Sequence, residues 1–184
     1  IGWGVPEHNL YLDNFPNVYS GENLDIGSRF MLEHLPVDSK IRHVIDLGCG
    51  NGVLAIKMAQ INPSIKLTCV DESFMAIASA KRNLAQNLTE EHNIDFIVNN
   101  CLDNLDLENV DVILCNPPFH QQQTITDHIA WQMFCDAKQI LRSGGQLIVI
   151  GNRHLGYDGK LNRIFGKHNV SVVASNKKFV ILQA

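Results

Sequence analysis

A polar step after an apolar run holds the first candidate chemistry of the sequence. Residues 110–115 are mostly apolar and are followed by Asn116-Pro117-Pro118-Phe119. Because proline has a fixed φ and no N–H, the two prolines end a strand and keep the preceding residues extended. An amide, a backbone carbonyl and an aromatic ring are thus presented together at a strand end, where open α/β sheets bind ligands. Alone, this stretch is equally compatible with an ordinary loop.

A glycine-rich loop follows an earlier apolar run. The run and the loop together contribute Asp46, Leu47, Gly48, Cys49, Gly50, Asn51 and Gly52. Glycines let the backbone turn sharply and approach a ligand closely. Their spacing departs from the G-x-G-x-x-G pattern of dinucleotide sites, and no Gly-Lys-Ser/Thr follows, as a P-loop requires. The loop therefore favours a ligand without a pyrophosphate.

Polar side chains also end the next two apolar runs. Asp71 lies 19 residues beyond Gly52, and its carboxylate could accept hydrogen bonds from two ribose hydroxyls, a role that Glu72 could share. Asn100, beside Cys101, could accept from an adenine amino group. Asp71 alone would also suit a helix cap. Taken together, the three strand ends predict a nucleoside site.

Apolar periodicity predicts strands that alternate with helices. The predicted strands are 42–47, 66–71, 94–98, 110–115 and 146–150, with a terminal hairpin of 170–174 and 178–182; the predicted helices are 27–35, 53–61, 74–87, 127–141 and 157–166. Asp25 and Ser73 are the predicted N-caps of two helices. Residues 1–23 are expected to be irregular, with at most a short edge strand at 18–21.

This alternation predicts the fold class. We expect one α/β domain over residues 1–184, with an N-terminal extension and helix in 1–40 and a core in 41–184. The core should be a Rossmann-like, doubly wound and mostly parallel sheet of about seven strands, because parallel strands require crossover helices on both faces. The C-terminal hairpin should add an antiparallel edge.

Composition excludes several classes of protein. No apolar run approaches the roughly 20 residues that span a bilayer, and the N-terminal residues do not resemble a signal peptide. The five cysteines form no CxxC pair and no zinc-ligand spacing, which predicts reduced thiols, a cytoplasmic location and no metal site.

The charge is unevenly distributed. The net charge is −4, yet residues 137–184 contain eight Lys or Arg residues and one acid. The net charge argues weakly against a nucleic-acid binder, but a basic end on an acidic chain fits a protein with one face for a polyanion. Basic helix ends and solvated faces would give the same pattern.

The glycine loop, Asp71 and the Asn-Pro-Pro-Phe motif together resemble the class I S-adenosylmethionine-dependent methyltransferases. The resemblance extends from about Val18 to Leu182. It implies that S-adenosyl-L-methionine is the cofactor and that Gly27 lies near its methionyl end. The other residues that it assigns to the cofactor are Asp46, Gly48, Cys49, Gly50, Asn51, Gly52, Asp71, Glu72, Asn100, Cys101 and Asn116.

Three further stretches resemble the ribosomal RNA guanine-N2 methyltransferases. They are residues 24–29, 116–122 and 151–155. Gln121-Gln122 resembles the branch that acts on large-subunit (23S) RNA rather than the 16S branch. The resemblance implies that this chain is the C-terminal, catalytic half, with a methyltransferase-like N-terminal half in the full-length protein that helps to bind RNA.

The resemblance gives a mechanism for the motif. We expect the Asn116 side-chain oxygen and the Pro117 carbonyl to accept hydrogen bonds from the guanine amino group, while Phe119 stacks on the base. The other expected substrate contacts are Pro118, His120, Gln121, Gln122, Arg153 and His154. A structural role for His120 and a solvated loop for the glutamines are the alternatives.

Two kinds of alternative function remain open. Related enzymes methylate adenine N6 or a protein glutamine, although these usually carry Tyr where Phe119 stands. A non-catalytic RNA-binding module is the alternative of another class. Its mark would be a degraded glycine loop or the loss of Asn116, and the sequence has neither.

Overall fold

The computed structural model describes residues 2–15, 24–119 and 122–184. The short strand predicted at 18–21 and the substrate contacts predicted for His120 and Gln121 lie outside these residues. Within them, no helix has both the length and the apolar character needed to cross a membrane.

The elements alternate as the periodicity predicts. The strands are β1 (Gly2–Val5), β2 (Leu10–Asp13), β3 (His43–Leu47), β4 (Lys66–Asp71), β5 (Asn93–Val98), β6 (Val110–Cys115), β7 (Leu141–Asn152), β8 (Ser171–Ser175) and β9 (Phe179–Gln183). The helices are α1 (Ile26–Leu32), α2 (Val53–Ile61), α3 (Phe74–Asn87), α4 (Gln123–Ile140) and α5 (Tyr157–Phe165). The predicted N-caps are confirmed, since Asp25 accepts from Ser28 N at 2.9 Å and Ser73 accepts from Ala76 N at 3.2 Å.

Seven strands form the main sheet in the order β5-β4-β3-β6-β7-β9-β8. Strands β3 to β7 run parallel, and β9 is antiparallel to both β7 and β8. The predicted fold class, a doubly wound and mostly parallel sheet with an antiparallel terminal hairpin, is therefore confirmed.

The core lies on both faces of this sheet because successive strand residues point to opposite sides. In β6, Val112 and Leu114 belong to a buried cluster with α1, α2 and α3, whereas Ile113 and Cys115 belong to a second cluster with α4 and α5. Two apolar layers thus clamp the central strands and fix the positions of their carboxyl ends.

The chain order reverses at the centre of the sheet. From β3 the chain proceeds outward through β4 to β5, and it then returns to place β6 on the other side of β3. At such a switch point the connections that leave the two central strands diverge, which opens a crevice at their carboxyl ends. The glycine loop follows β3, and Asn116 follows β6.

The prediction that residues 1–23 are irregular is wrong for residues 2–13, where β1 and β2 form an antiparallel hairpin. Leu10 and Leu12 are buried. Three side chains of α3 accept hydrogen bonds from every second backbone N–H group in residues 11–15. The pairs are Tyr11 N with Asn87 Oδ1 (2.7 Å), Asp13 N with Asn83 Oδ1 (2.7 Å) and Phe15 N with Ser79 Oγ (2.8 Å). Local pattern did not predict the hairpin because its backbone partners are polar side chains about 70 residues away.

Three element boundaries differ from prediction by three residues or more. Helix α1 ends at Leu32 rather than residue 35, and α4 begins at Gln123 rather than residue 127. Strand β7 begins at Leu141, directly after α4, because Leu141 already pairs with Val110 ahead of a bulge. None of these differences moves a strand end that carries a candidate site residue.

Candidate active site

A cavity of about 230 Å³ opens where β3, β4, β5 and β6 end. Most of the residues predicted to bind a cofactor or substrate there line it: Asp46, Gly48, Cys49, Gly50, Asn51, Asp71, Glu72, Asn100, Cys101, Asn116, Pro117, Pro118 and Phe119. The sheet thus brings together three strand-end motifs that are separated in sequence. The glycine loop also lies against the backbone of Asn116, because a Cβ added to Gly48 would lie 3.6 Å from the carbonyl oxygen of Asn116.

Hydrogen bonds from its backbone N–H groups to the end of β4 hold the glycine loop in position. Gly48 N and Cys49 N both donate to Val70 O, at 2.8 and 3.0 Å, and Gly50 N donates to Asp71 Oδ2 at 3.0 Å. A Cβ added to Gly50 would meet nothing within 4 Å, so the loop leaves open space at the point where it lines the cavity.

Gly52 serves a different purpose from its neighbours, because it does not line the cavity. It has a φ of +84°, and a Cβ there would lie 2.7 Å from a Leu84 side-chain atom and 3.2 Å from Ala80. Only glycine allows the loop to approach α3 this closely in a left-handed conformation. Gly52 therefore allows the glycine loop to pack on α3 and does not itself contact the cavity.

Asn83 is a structural residue of the site that sequence reasoning missed. It is fully buried, and its Nδ2 donates to Asn51 O at 2.9 Å while its Oδ1 accepts from Asp13 N at 2.7 Å. One side chain thereby joins the N-terminal hairpin to the glycine loop. An Asn on the inner face of a predicted amphipathic helix was the available signal, because a buried amide must find partners.

Asp71 is fixed before any ligand is bound. Its Oδ1 accepts from Ser73 N at 2.9 Å, and its Oδ2 accepts from Gly50 N. Each carboxylate oxygen has a second lone pair, so the same group can still accept from ligand hydroxyls.

The described lining of the cavity is acidic. It includes four carboxylates and no Lys, Arg or His; the acids are Asp25, Asp46, Asp71 and Glu72. Burial, assisted by the negative charge of Asp71, raises the pKa of Asp46 to about 7, although the Ala55 N–H that it accepts opposes this shift. Such a lining suits hydroxyl groups and a cationic ligand, and it disfavours phosphate.

The Asn116 side chain has a defined orientation. Its Nδ2 lies 3.3 Å from Asp25 Oδ2 and 3.3 Å from Ser28 Oγ. A carboxylate can only accept hydrogen bonds, so the amide nitrogen must face Asp25 and the carbonyl oxygen must face away from it. Sequence reasoning treated Asp25 only as a helix cap and missed its contact with the motif, as it missed Ser28.

A second cavity, of about 240 Å³, adjoins the first. The two share Asn116, Pro117 and Phe119, so the motif forms a partition between them. The other residues that line the second cavity are Ile150, Gly151, Asn152, Leu155, Lys178 and Phe179. Phe119 is 37% exposed at this border, within reach of a ligand that enters from solvent.

Five predicted site residues that the structure describes line neither cavity: Gly27, Gly52, Gln122, Arg153 and His154. A Cβ on Gly27 would lie 3.2 Å from Asp25 Oδ2, at the first cavity, and 3.6 and 3.7 Å from Phe179 and Ile150, at the second, so Gly27 packs behind the walls of both. Arg153 donates from Nη1 to Asn176 O at 3.2 Å, and its side chain is exposed, as are those of His154 and Gln122.

Metal ligation finds no support in the described part of the chain, where no group of three or more His, Cys, Asp or Glu residues is arranged to hold an ion. Burial raises the pKa values of the Cys101 and Cys115 thiols. A hydrogen bond with Cys69 is the main cause of the raised pKa of Cys49. These thiols are therefore protonated and unreactive near neutral pH.

Residues 9–183 match the family model of the methyltransferase small domain. The chain is 66% identical over 182 residues to ribosomal RNA large subunit methyltransferase G of Vibrio vulnificus (strain YJ016), covering 99% of the chain and 48% of that protein. It is 63% identical over 184 residues to the protein of the same name from Aliivibrio salmonicida (strain LFI1238), covering all of the chain and again 48% of the relative. The chain thus spans about half the length of the curated relatives it matches.

Solved structures share the fold. A T. thermophilus 16S rRNA N2 G1207 methyltransferase, in complex with AdoMet and guanosine, superimposes with a TM-score of 0.81 at 21% identity, over 100% of this chain and 49% of that one. A ribosomal protein L11 methylase from Lactobacillus delbrueckii subsp. bulgaricus gives a TM-score of 0.66 at 18% identity, over 96% of this chain and 94% of that one.

Proposed function

The chain belongs to the methyltransferase small domain family, and we propose that it forms the catalytic half of an S-adenosylmethionine-dependent enzyme that methylates N2 of a guanine in 23S ribosomal RNA. The observation that carries this proposal is the oriented Asn116, which stands between two adjoining cavities with its amide nitrogen held by Asp25. We take residues 1–184 to act as one domain of this kind.

S-adenosyl-L-methionine fits the first cavity. Its lining is acidic and free of basic side chains among the described residues, which suits a cofactor with ribose hydroxyls and a sulfonium but no phosphate. When bound, the cofactor supplies an electrophilic methyl group. Asp71 and Glu72 would hold the ribose, Asn100 the adenine, and the glycine loop with Asp46 the methionine part.

Asn116 and Pro117 prepare the acceptor. A guanine N2 lone pair is delocalised into the ring and is poorly directed towards a methyl group. The Asn116 side-chain oxygen and the Pro117 backbone carbonyl accept hydrogen bonds from the two amino hydrogens, which turns the lone pair towards the neighbouring cavity. The same acceptors stabilise the positive charge that develops on nitrogen during transfer.

The second cavity receives the base. Phe119 at its border stacks on the base, a contact worth roughly 1–3 kcal/mol. Because the reacting atom must reach Asn116, the target guanine is unstacked or already lies in a loop. This requirement favours a structured RNA substrate over a free helix.

The choice of ribosomal RNA rests on the relatives. Those at 63% and 66% identity are named for the large ribosomal subunit, which favours 23S over 16S RNA. They are about twice as long as this chain, and we expect a further methyltransferase-like half to assist in binding RNA. A cytoplasmic location follows from a ribosomal substrate.

Transfer of tritiated methyl groups tests the proposal. The full-length protein is incubated with labelled S-adenosyl-L-methionine and with 23S or 16S RNA from a strain that lacks the modification, both naked and in assembled subunits. We expect label in 23S RNA, recovered as N2-methylguanine after digestion. Label in 16S RNA alone, in N6-methyladenine or in protein would replace this proposal with one of the alternatives, and binding of RNA without transfer would indicate a non-catalytic module.

A further inference from the structure

We infer that Lys178 and Asn152 recognise O6 of the target base, so that the second cavity itself selects guanine over adenine. The inference rests on the proposed function and adds to it the residues that determine base specificity. It is carried by the hydrogen-bond acceptors that the motif and the donors that neighbouring strand ends bring to that cavity.

One wall is formed by the motif and offers acceptors. The side-chain nitrogen of Asn116 is committed to Asp25 and Ser28, which leaves its oxygen for a ligand. Asn152 and Lys178 line the same cavity from other strands: Asn152 ends β7 and Lys178 directly precedes β9, whereas Asn116 follows β6. Because β7 lies between β6 and β9 in the sheet, Lys178 stands two strands away from the motif.

Lys178 brings an ammonium group to the lining of this cavity. Its Nζ lies 5.2 Å from the centroid of the Phe179 ring, and both residues line the cavity. The backbone that carries it is fixed, because Lys178 N donates to Asn176 Oδ1 at 2.9 Å and Lys178 O accepts from Arg153 N at 2.9 Å. A lysine ammonium has three donors and no acceptor.

Asn152 adds a donor beside it. Its Oδ1 accepts from His154 N at 3.0 Å and so caps the single helical turn Arg153–Leu155. With the oxygen turned towards its own backbone, the amide nitrogen is the end that can serve a ligand. The two polar side chains contributed by β7 and the start of β9 therefore offer donors.

Guanine matches this polarity and adenine does not. In guanine the N2 amino group and the O6 acceptor stand at opposite ends of one ring edge, so an amino group held by Asn116 places O6 towards the donors. When adenine is superimposed by its own amino group, the position of O6 is taken by the C2–H, which accepts nothing. A site built to bond a substrate atom strongly rejects an analogue that lacks it.

Paired RNA substrates test the inference. The labelled guanine is first mapped in RNA methylated by the wild-type full-length protein. A synthetic RNA of that sequence is then made with guanine or with 2-aminopurine at the mapped position, since 2-aminopurine keeps the amino group, replaces O6 by hydrogen and has no proton on N1. Comparing each variant with the control on both RNAs removes the effect of N1, which is common to all of them. Three variants are compared with wild type: Lys178→Met, Asn152→Asp, which keeps the cap but removes the donor, and Lys177→Met as a control for charge.

We expect Lys178→Met and Asn152→Asp each to lower kcat/KM on the guanine RNA about tenfold below the Lys177→Met control, while their kcat/KM on the 2-aminopurine RNA equals that of the control, because all three substitutions change the charge by the same amount. Lys177→Met should change kcat/KM by the same factor on both RNAs. Melting temperature and cofactor affinity establish that each variant is folded.

Two outcomes distinguish a failure of this inference from a failure of the proposed guanine methylation. If the wild-type protein methylates no guanine, the proposed function fails and the inference fails with it. If wild type methylates guanine but the Lys178 and Asn152 variants lower kcat/KM equally on both RNAs, or on neither, the proposed recognition of O6 is wrong and the methyltransferase assignment stands.

Discussion

The side-chain nitrogen of Asn116 lies 3.3 Å from Oδ2 of Asp25, a residue 91 positions earlier in the chain. The same carboxylate oxygen accepts from Ser28 N, so the N-cap of α1 and the orientation of Asn116 depend on one group. Asn116 is therefore held in position before any substrate arrives, which is what a site that orients a reacting amine requires.

Replacing Asp25 should separate its two roles. Asp25→Ser keeps an effective N-cap, but its shorter side chain does not extend to Asn116. We expect kcat for methyl transfer to fall by about tenfold or more, while the free energy of unfolding changes by less than about 1 kcal/mol. Asp25→Asn retains an oxygen that can accept from Asn116 and should restore most of the activity. Wild-type kcat in Asp25→Ser would remove Asp25 from the mechanism.

Asp71 should determine cofactor affinity. Removing a carboxylate that accepts from ligand hydroxyls costs about 1.5–3 kcal/mol, so Asp71→Ala should raise the Kd for S-adenosyl-L-methionine about 10- to 100-fold. Calorimetric titration measures this directly. Asp95→Ala is the matched control, because Asp95 is an exposed acid on β5 whose carboxylate pairs with Lys66 at 3.5 Å. Equal Kd values for Asp71→Ala and the control would exclude Asp71 from the cofactor site.

Asp46 should make stability depend on pH. Its pKa is raised from 3.8 to about 7 in the folded protein, so between these values the folded state binds more protons than the unfolded state. The carboxyl of Asp46 therefore makes the free energy of unfolding fall as pH rises from about 4 to about 7, and it adds no further change above that. Asp46→Asn keeps an oxygen for the Ala55 N–H but cannot ionise.

Urea denaturation of both proteins at several pH values isolates this effect. We expect Asp46→Asn to gain stability relative to wild type as pH rises through this window, by at most about 1.4 kcal/mol per pH unit. A constant difference across pH 4 to 7 would show that Asp46 ionises normally.

Asn83 should contribute more to stability than its neighbour on the same helix face. Asn83→Ala removes the acceptor of the partly buried Asp13 N and the donor to the buried Asn51 O. At about 1–3 kcal/mol for each unsatisfied group, the loss should exceed about 2 kcal/mol. Asn87→Ala removes bonds to Tyr11 at a more exposed position, where water replaces them, and should cost less than about 1 kcal/mol. Equal losses in thermal or urea denaturation would argue against the link between hairpin and glycine loop.

The sequence predicted the sheet well because its signals are local. Strand β6 and helix α2 have the predicted bounds, since an apolar run closed by proline and a helix closed by Asn62-Pro63 define themselves within a few residues. The cavity followed from the same signals, because the carboxyl ends of parallel strands meet at one edge.

The parts that were missed depend on contacts between distant segments. The contact of Asp25 with Asn116, the bonds from α3 to the N-terminal hairpin and the cavity that Lys178 shares with the motif all join residues about 60 or more positions apart. Each of these residues has an ordinary local explanation, as a cap, a helical amide or a surface lysine. Only the packed sheet brings them to the site, so no spacing rule could have identified them.

Substitution of Asn116 tests the central claim most directly. Initial rates of tritiated methyl transfer to 23S RNA are measured for wild type and Asn116→Ala, with the Kd for S-adenosyl-L-methionine measured in parallel. Since preorganised groups that stabilise developing charge contribute about 100- to 1,000-fold in rate, we predict a fall of that size with the Kd within about threefold of wild type. Transfer within a few-fold of the wild-type rate would contradict the proposal that Asn116 orients the guanine amino group.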